Sequence, residues 1–360
     1  MKILFLCGSI EPGQDGVGDY TSRIALELVC SGHEVKIISL YDKFISSITL
    51  SSNEGFVSIR LPYSMDETER FNEAGKNIKE FNPEWISIQF VIFAYHPKGL
   101  PFQLPSKMKA LLAQRKVHIM FHELWVGLES HSIWKYRVLG FLQRRIIKHL
   151  LKDIQPAYIH THTPLYAWQL KNIGFDSSIL SLFGNIPISN IVHSKDTEIL
   201  RGIVFGAIHS DAPIELFAKE FKAYILEREK TAEIIFVGRC GTLQHNWQRA
   251  FEKEGITCIN KGEQTVERIS ELMMCSDFGI TSTPYLLTDK SGTVAAMLEH
   301  GIPVICVAKK WDVREKKHFV NSVYNFKKGS FMSFMKEEKG RMPSNILKVI
   351  TQQFLTDIKA

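Results

Sequence analysis

The sequence predicts an α/β protein built as two doubly wound, Rossmann-like halves, and three observations predict it. The chain opens with an apolar strand, a glycine-rich stretch, an amphipathic helix and a second strand, the order that begins a doubly wound sheet. The same alternation starts afresh near Gly202. At 360 residues the chain is also long for a single core, so two domains suit its length.

The first half is read as follows. Lys2–Cys7 is an apolar strand; it ends at Gly8-Ser9, too soon for the core of a secretion signal. A loop from Gly8 to Tyr20 carries Gly16 and Gly18, and a helix follows with Ile24, Leu28 and Val29 on one face. Gly32-His33 ends that helix before the strand Glu34–Leu40. The dinucleotide fingerprint G-x-G-x-x-G is absent. Further strands are expected around Phe56–Leu61, Trp85–Phe90 and Val117–Phe121. Open α/β sheets place ligands at the carboxyl ends of their strands, and two of these ends are polar: Tyr95–Gly99, and His122-Glu123-Leu124-Trp125.

Ile133, Tyr136, Leu139, Leu142, Ile146 and Leu150, with Arg137, Arg144, Arg145, Lys148 and Lys152 between them, predict a basic amphipathic helix or helix pair over 133–154. His160 and His162, near the end of a strand over Ala157–Thr163, are read as alternating to opposite faces. No Cys or carboxylate cluster joins them, so a zinc site is not expected.

The first domain is placed at 1–188, with a linker over Ser189–Ile199. The second, 189–342, begins with a strand Gly202–Gly206, a helix through Ile214, Phe217 and Phe221, and a strand Glu233–Gly238 that leads to Arg239. After a strand Thr257–Ile259 comes the loop Lys261-Gly262-Glu263-Gln264-Thr265, then a helix through Val266, Ile269, Leu272 and Met273. A buried strand Asp277–Thr281 runs into a loop with Pro284 and Asp289. The next helix starts at Ser291-Gly292-Thr293, stops at Gly301 and gives way to a strand Ile302–Val307. Backbone N–H groups at a helix start, hydroxyls beside them, a glycine that lets a ligand approach and the charge of Lys290 together suit a phosphate. The plain alternative is an ordinary Ser/Thr-capped helix. A closing helix, Ser344–Ile358, lies in a tail, 343–360, expected to cross back to the first domain.

Apolar residues make up 45% and charged residues 23%, which excludes a disordered chain. Six scattered cysteines with no C-x-x-C pair fit buried thiols in a reducing compartment, and no run reaches the roughly 20 apolar residues of a membrane span. A cytoplasmic protein is expected. The net charge of +6 is uneven: residues 101–150 hold nine Lys/Arg against Glu123 and Glu129. With no nucleic-acid motif in the chain, an anionic membrane surface or a diphosphate-bearing acceptor is the more economical partner; a solvated charged face is the alternative.

The stretch Lys290-Ser291-Gly292-Thr293 followed by His300-Gly301-Ile302-Pro303-Val304 resembles the donor-binding helix of GT-B glycosyltransferases of the family-4 type. Gly16-Val17-Gly18-Asp19-Tyr20, with Gly32-His33-Glu34-Val35 downstream, resembles that family's N-terminal signature. The resemblance implies the GT-B architecture, two Rossmann-like domains facing across a cleft. It implies transfer of a sugar from a nucleotide-diphosphate sugar, of UDP or GDP type, to a sugar or lipid-linked acceptor hydroxyl. Configuration would be retained, and the absence of a D-x-D motif agrees with a site that uses no metal. The setting would be cell-surface polysaccharide or glycoconjugate synthesis, in the cytoplasm at the inner face of the membrane. His122 and Glu123 would stand at the reacting centre. Gly16, Gly18, Arg239, Gly262, Lys290, Ser291, Gly292 and Thr293 would hold the donor.

The sequence departs from the family in two places. Thr288 and Ala296 occupy the positions of its glutamate pair, and Gly206-Ala207 replaces its Gly-Arg, leaving Arg239, Lys290 and a protonated His209 as sources of positive charge. A sugar-nucleotide epimerase of the same architecture and a non-catalytic sugar-nucleotide-binding protein are the alternatives.

Overall fold

The computed structural model describes residues 1–52, 55–112, 115–189, 197–314 and 319–359. The expected linker lies largely outside them, at 190–196. The chain forms two compact units: Met1–Ser181 with Val313–Lys316 and Leu347–Ala360, and Leu182–Asp312 with Lys317–Ile346.

The first unit is built on eight strands: β1 (Lys2–Cys7), β2 (Glu34–Asp42), β3 (Thr49–Ser51), β4 (Val57–Pro62), β5 (Trp85–Phe90), β6 (Lys116–Phe121), β7 (Tyr158–Thr161) and β8 (Ser178–Ile179). Their order is β3-β4-β2-β1-β5-β6-β7-β8, parallel except for β3 at the edge. The chain winds one way from β1 and then the other from β5, so the switch point falls between these neighbours. The helices are α1 (Gly16–Cys30), α2 (Glu67–Phe81), α3 (Ile92–Tyr95), α4 (Leu104–Leu112), α5 (Trp134–Ile154) and α6 (Pro164–Lys171).

The second unit has six parallel strands: β9 (Ile199–Phe205), β10 (Thr231–Val237), β11 (Thr257–Gly262), β12 (Phe278–Thr281), β13 (Val304–Cys306) and β14 (Tyr324–Asn325), ordered β11-β10-β9-β12-β13-β14. Its switch point lies between β9 and β12. Its helices are α7 (Ile214–Glu227), α8 (Gln244–Lys253), α9 (Val266–Met274), α10 (Gly292–Glu299) and α11 (Phe331–Glu337). Phe217, Phe221, Phe251, Phe278, Phe331 and Phe334 pack one face of this sheet, and Ile203, Met273, Val294 and Met297 pack the other. Each such side chain contributes about 1.5–3 kcal/mol by leaving water.

The last helix, α12 (Leu347–Lys359), belongs to the first unit. Its Phe354 stacks on Phe5 of β1 and meets His118 of β6 edge-on, with ring centroids 6.2 and 5.0 Å apart. β1 and β5 are apolar almost throughout because a parallel sheet is covered on both faces. Ser87 and Gln89 interrupt that pattern in β5, and they and His118 of β6 are nevertheless buried.

Several boundaries differ from the sequence reading, each for a local reason. Gly16 and Gly18 lie in the first turn of α1 and not in a loop, because the Asp15 carboxylate accepts from the Val17 and Gly18 N–H groups, both at 3.0 Å, and starts the helix there. The segment before α10 is a 3-10 helix, Tyr285–Lys290. Residues 134–154 form one helix, amphipathic only in its second half: Gly140, Gln143, Ile146, Ile147, Leu150 and Leu151 are buried, whereas Ile133 and Tyr136 are exposed.

Candidate functional site

Four segments of the second unit leave the carboxyl ends of β9, β10, β11 and β12, and the last of them leads to the start of α10. Ser291 is the N-cap of α10: its hydroxyl accepts from the Val294 N–H and lies 3.0 Å from the Thr293 hydroxyl. The first N–H groups of a helix have no partner within it, so those of Gly292 and Thr293 face outward from the first turn. A Cβ built on Gly292 would meet nothing within 4 Å. A larger residue there would suit the fold, so the bare Cα leaves room for something outside it. Lys290, at the end of the 3-10 helix, is half-buried.

The β9 loop lies against this helix start. Gly206 has φ +80°, and a Cβ on it would stand 2.8 Å from the Thr293 methyl. Three residues on, the His209 N–H donates to the buried Ser282 hydroxyl just past β12 (2.8 Å). The expected donor-holding residues Lys290, Ser291, Gly292 and Thr293 thus gather at the β9/β12 switch point. Gly262 ends β11, where its carbonyl accepts from the Gly238 N–H at 2.8 Å. Arg239 follows β10, but its guanidinium pairs with Glu263 at 3.0 Å on the exposed surface. A surface pair of this kind is weak, so a ligand phosphate could replace the carboxylate at small cost.

Ala296, at a position where the family resemblance would put a glutamate, has a physical explanation. The backbone at Gly184 crosses directly over it: a Cβ on Gly184 would lie 2.6 Å from the Ala296 Cα. The nearby Glu299 is buried and accepts from the Gly184 N–H at 2.9 Å. Thr288 is fully buried, its hydroxyl donating to the Tyr285 carbonyl at 2.8 Å. His300 is also structural: its Nδ1 bonds the Ala296 carbonyl and its Nε2 the Ser270 hydroxyl.

In the first unit, His122 sits just past β6, its N–H donating to the Phe90 carbonyl at 3.1 Å, and its side chain is almost fully buried. Both ring nitrogens are engaged. Nε2 lies 2.9 Å from Gln89 Oε1 and Nδ1 lies 3.0 Å from His162 Nε2, while His162 Nδ1 donates to the Leu180 carbonyl at 2.9 Å. The Tyr20 ring of α1 stands edge-on to both imidazoles, 4.9 and 5.5 Å away. Glu123 is half-buried. Gly18 is buried because α1 passes close to the end of β1: a Cβ there would lie 2.6 Å from the Ser9 carbonyl oxygen. Gly16 is exposed.

Gln89 Nε2 also donates to Ser87 Oγ at 2.8 Å, and Ser87 Oγ lies 2.8 Å from His118 Nδ1. His118 Nε2 lies 2.9 Å from His160 Nδ1, and His160 Nε2 is 3.0 Å from Asp357 Oδ2 of α12. The register pairs Ser87 with His118, Gln89 with Met120, and Met120 with His160, so all belong to one face of the sheet. His160 and His162 therefore do not point to opposite faces: residues two apart in a strand share one, and both join the same buried row. Among the described residues, no group of three or more His, Cys, Asp or Glu side chains could hold a metal ion.

No protein-family model matches the chain, and no curated protein does. Solved structures match along its whole length. The lipopolysaccharide outer core galactosyltransferase WaaB is 11% identical over 100% of this chain and 97% of its own, with a TM-score of 0.57. HepE from Anabaena, in complex with UDP-glucose, is 12% identical over 100% and 97%, with a TM-score of 0.55. UDP-GlcNAc 2-epimerase from Methanocaldococcus jannaschii is 12% identical over 99% of each chain, with a TM-score of 0.53. The likeness is one of fold: the chain has the GT-B fold of glycosyltransferases, two Rossmann-like α/β units.

Burial holds the His118 imidazole well below the usual 6.5, with His160 adding to the shift. Burial lowers His160 as well, against the pull of Asp357. The unfolded chain therefore takes up protons near pH 6.5 that these folded side chains refuse, so their part in stability is intact above that pH and is lost as pH falls below it. The urea midpoint is expected to drop between about pH 8 and about pH 5.5, and to drop by less in His118→Gln. An equal drop in both proteins would show that His118 is not a source of the acid sensitivity.

Proposed function

We propose that the chain is a glycosyltransferase that moves a sugar from a nucleotide-diphosphate sugar of UDP or GDP type to an acceptor hydroxyl. The observation that carries this reading is the start of α10, where Ser291, Gly292 and Thr293 present N–H groups and hydroxyls beside Lys290 and the Gly206 turn. The chemical difficulty is the departure of a nucleoside diphosphate as positive charge develops on the sugar. Fixed N–H dipoles with a lysine next to them in sequence would answer that need. HepE, of the same fold, binds UDP-glucose. By the family-4 resemblance, the reaction retains configuration and needs no metal. Arg239, released from Glu263, Gly262 at the end of β11, and Gly16 and Gly18 at the start of α1 complete the donor-side assignment, and His122 and Glu123 serve the reacting centre.

Substitution separates this from a capped structural helix. Gly292→Val fits the fold and fills the space a phosphate would use. In calorimetry with UDP and GDP, Gly292→Val and Lys290→Ala are each expected to weaken binding of the accepted nucleotide by about tenfold or more, the scale of a lost charge-assisted hydrogen bond. Unchanged affinity in both folded variants would move the diphosphate elsewhere.

The proposed acceptor is lipid-linked or otherwise anionic, met at the inner face of the membrane in polysaccharide or glycoconjugate synthesis. Support comes from α5. No helix among the described residues is long and apolar enough to cross a membrane, but the first two turns of α5 expose Trp134 (75%), Tyr136, Val138 and Phe141 (56%). Lys135, Arg137, Arg144, Arg145 and Lys148 are exposed along the same helix. Aromatic rings with basic neighbours suit the headgroup region, and each Lys or Arg near an anionic leaflet contributes roughly 1 kcal/mol. Sedimentation with anionic vesicles, lost in high salt and in the Arg144→Glu, Arg145→Glu, Lys148→Glu triple variant, is the expected result. Equal recovery in the supernatant with anionic and neutral vesicles would point to a dissolved acceptor.

A further inference from the structure

The buried row from Asp357 to His162 has a proton requirement set by its hydrogen bonds alone. Seven contacts join Asp357, His160, His118, Ser87, Gln89, His122, His162 and the Leu180 carbonyl in one unbroken line. Each contact needs one hydrogen, because two lone pairs facing each other at such distances in a dry interior are costly. The four imidazoles, when neutral, bring one hydrogen each, the Ser87 hydroxyl brings one, and the Gln89 amide brings one into the line. The Leu180 carbonyl and an ionised Asp357 bring none. The line is therefore one proton short when every imidazole is neutral and Asp357 is ionised. Turning the Gln89 amide moves the shortage from one side of Gln89 to the other and does not remove it.

We propose that this row is a proton-holding chain: it carries one proton beyond those of its neutral imidazoles, with the Asp357 carboxylate as counter-charge, and Gln89 is the positioning residue that decides whether His122 shares it. With Gln89 Oε1 on His122 and Nε2 on Ser87, as here, neutral groups satisfy the Asp357 side, each donating towards the carboxylate. The added proton then belongs to His122 and His162, which lie between two acceptors, Gln89 Oε1 and the Leu180 carbonyl. With the amide turned by half a turn, Nε2 donates to His122, the His122–His162 pair is neutral, and the proton belongs to the Asp357 side. Burial disfavours charge on His118 and His160, in keeping with the first arrangement.

Groups from several packed elements face the row. Tyr20 of α1 presents its ring edge to His122 and His162. Phe354 of α12 covers His118, and Asp357 of the same helix meets His160. Tyr158 of β7 lies against the His160 ring, its hydroxyl 3.0 Å from Ser178 Oγ. Asp357 is the partly exposed end, with its side chain 22% accessible, so the row exchanges protons with solvent there while His122 stays covered. The inference concerns protonation and stands apart from the transferase reading. Within that reading, it gives His122 a positive charge.

Nitrogen-15 NMR of the full chain with labelled histidine tests this, because the imidazole nitrogen shifts separate the imidazolium from either neutral tautomer. The expected result near pH 7.5 is a charged His122–His162 pair beside neutral His118 and His160. Asp357→Asn is expected to lower the pH at which the pair loses its proton by about one unit or more, and Gln89→Glu to raise it. A residue with only a packing role would not shift that pH in opposite directions in the two variants. Neutral His122 and His162 in the unmodified protein at that pH, or a midpoint unmoved in both folded variants, would overturn the proposal. Should a variant fail to fold, the spectrum of the unmodified protein decides.

Discussion

A parallel sheet wound both ways from a central strand leaves two neighbouring loops that depart to opposite faces, and each unit of this protein depends on that constraint. In the second unit the split at β9 and β12 brings the Gly206 turn against the start of α10. In the first unit, the split at β1 and β5 sets α1, which follows β1, beside the loops that follow β5 and β6, so Tyr20 of α1 stands against His122, which Gln89 of the adjacent strand also meets. Neither arrangement needs long-range instruction beyond the strand order. It follows from right-handed crossovers on a twisted sheet.

The two places differ in chemistry. At the start of α10 the polar groups are held by short local contacts and face outward, an arrangement ready for an anion. In the first unit every imidazole nitrogen of the row is engaged inside the protein, so the orientation of each ring is already set.

Much of this was legible in the sequence, for local reasons. β5 lies over the residues expected because four of its six side chains are apolar, and Ser291 capping α10 follows from one hydroxyl just before an apolar periodicity. The start of α1 was misplaced because two glycines suggested a loop, whereas the single side chain of Asp15 sets the first turn. The histidine row was invisible because its members are far apart in sequence: His118 and His160 by 42 positions, His160 and Asp357 by 197. Isolated histidines in apolar strands carry no sign of one another. The signal that was present was Ser87 and Gln89, polar residues inside a strand too apolar to reach water. Ala296 is similar: the backbone of Gly184, 112 residues earlier, occupies the space above it.

The most direct test of the central claim is the release of nucleoside diphosphate from a panel of UDP- and GDP-sugars, with and without a membrane extract that supplies saccharide and lipid-linked acceptors. The account predicts that one donor binds and that its diphosphate is released only when acceptor is present, with the sugar recovered on the acceptor. Release or sugar rearrangement without acceptor would contradict transfer and favour an epimerase of the same fold. Binding without turnover under any condition would leave a protein that holds sugar nucleotides and does no chemistry on them.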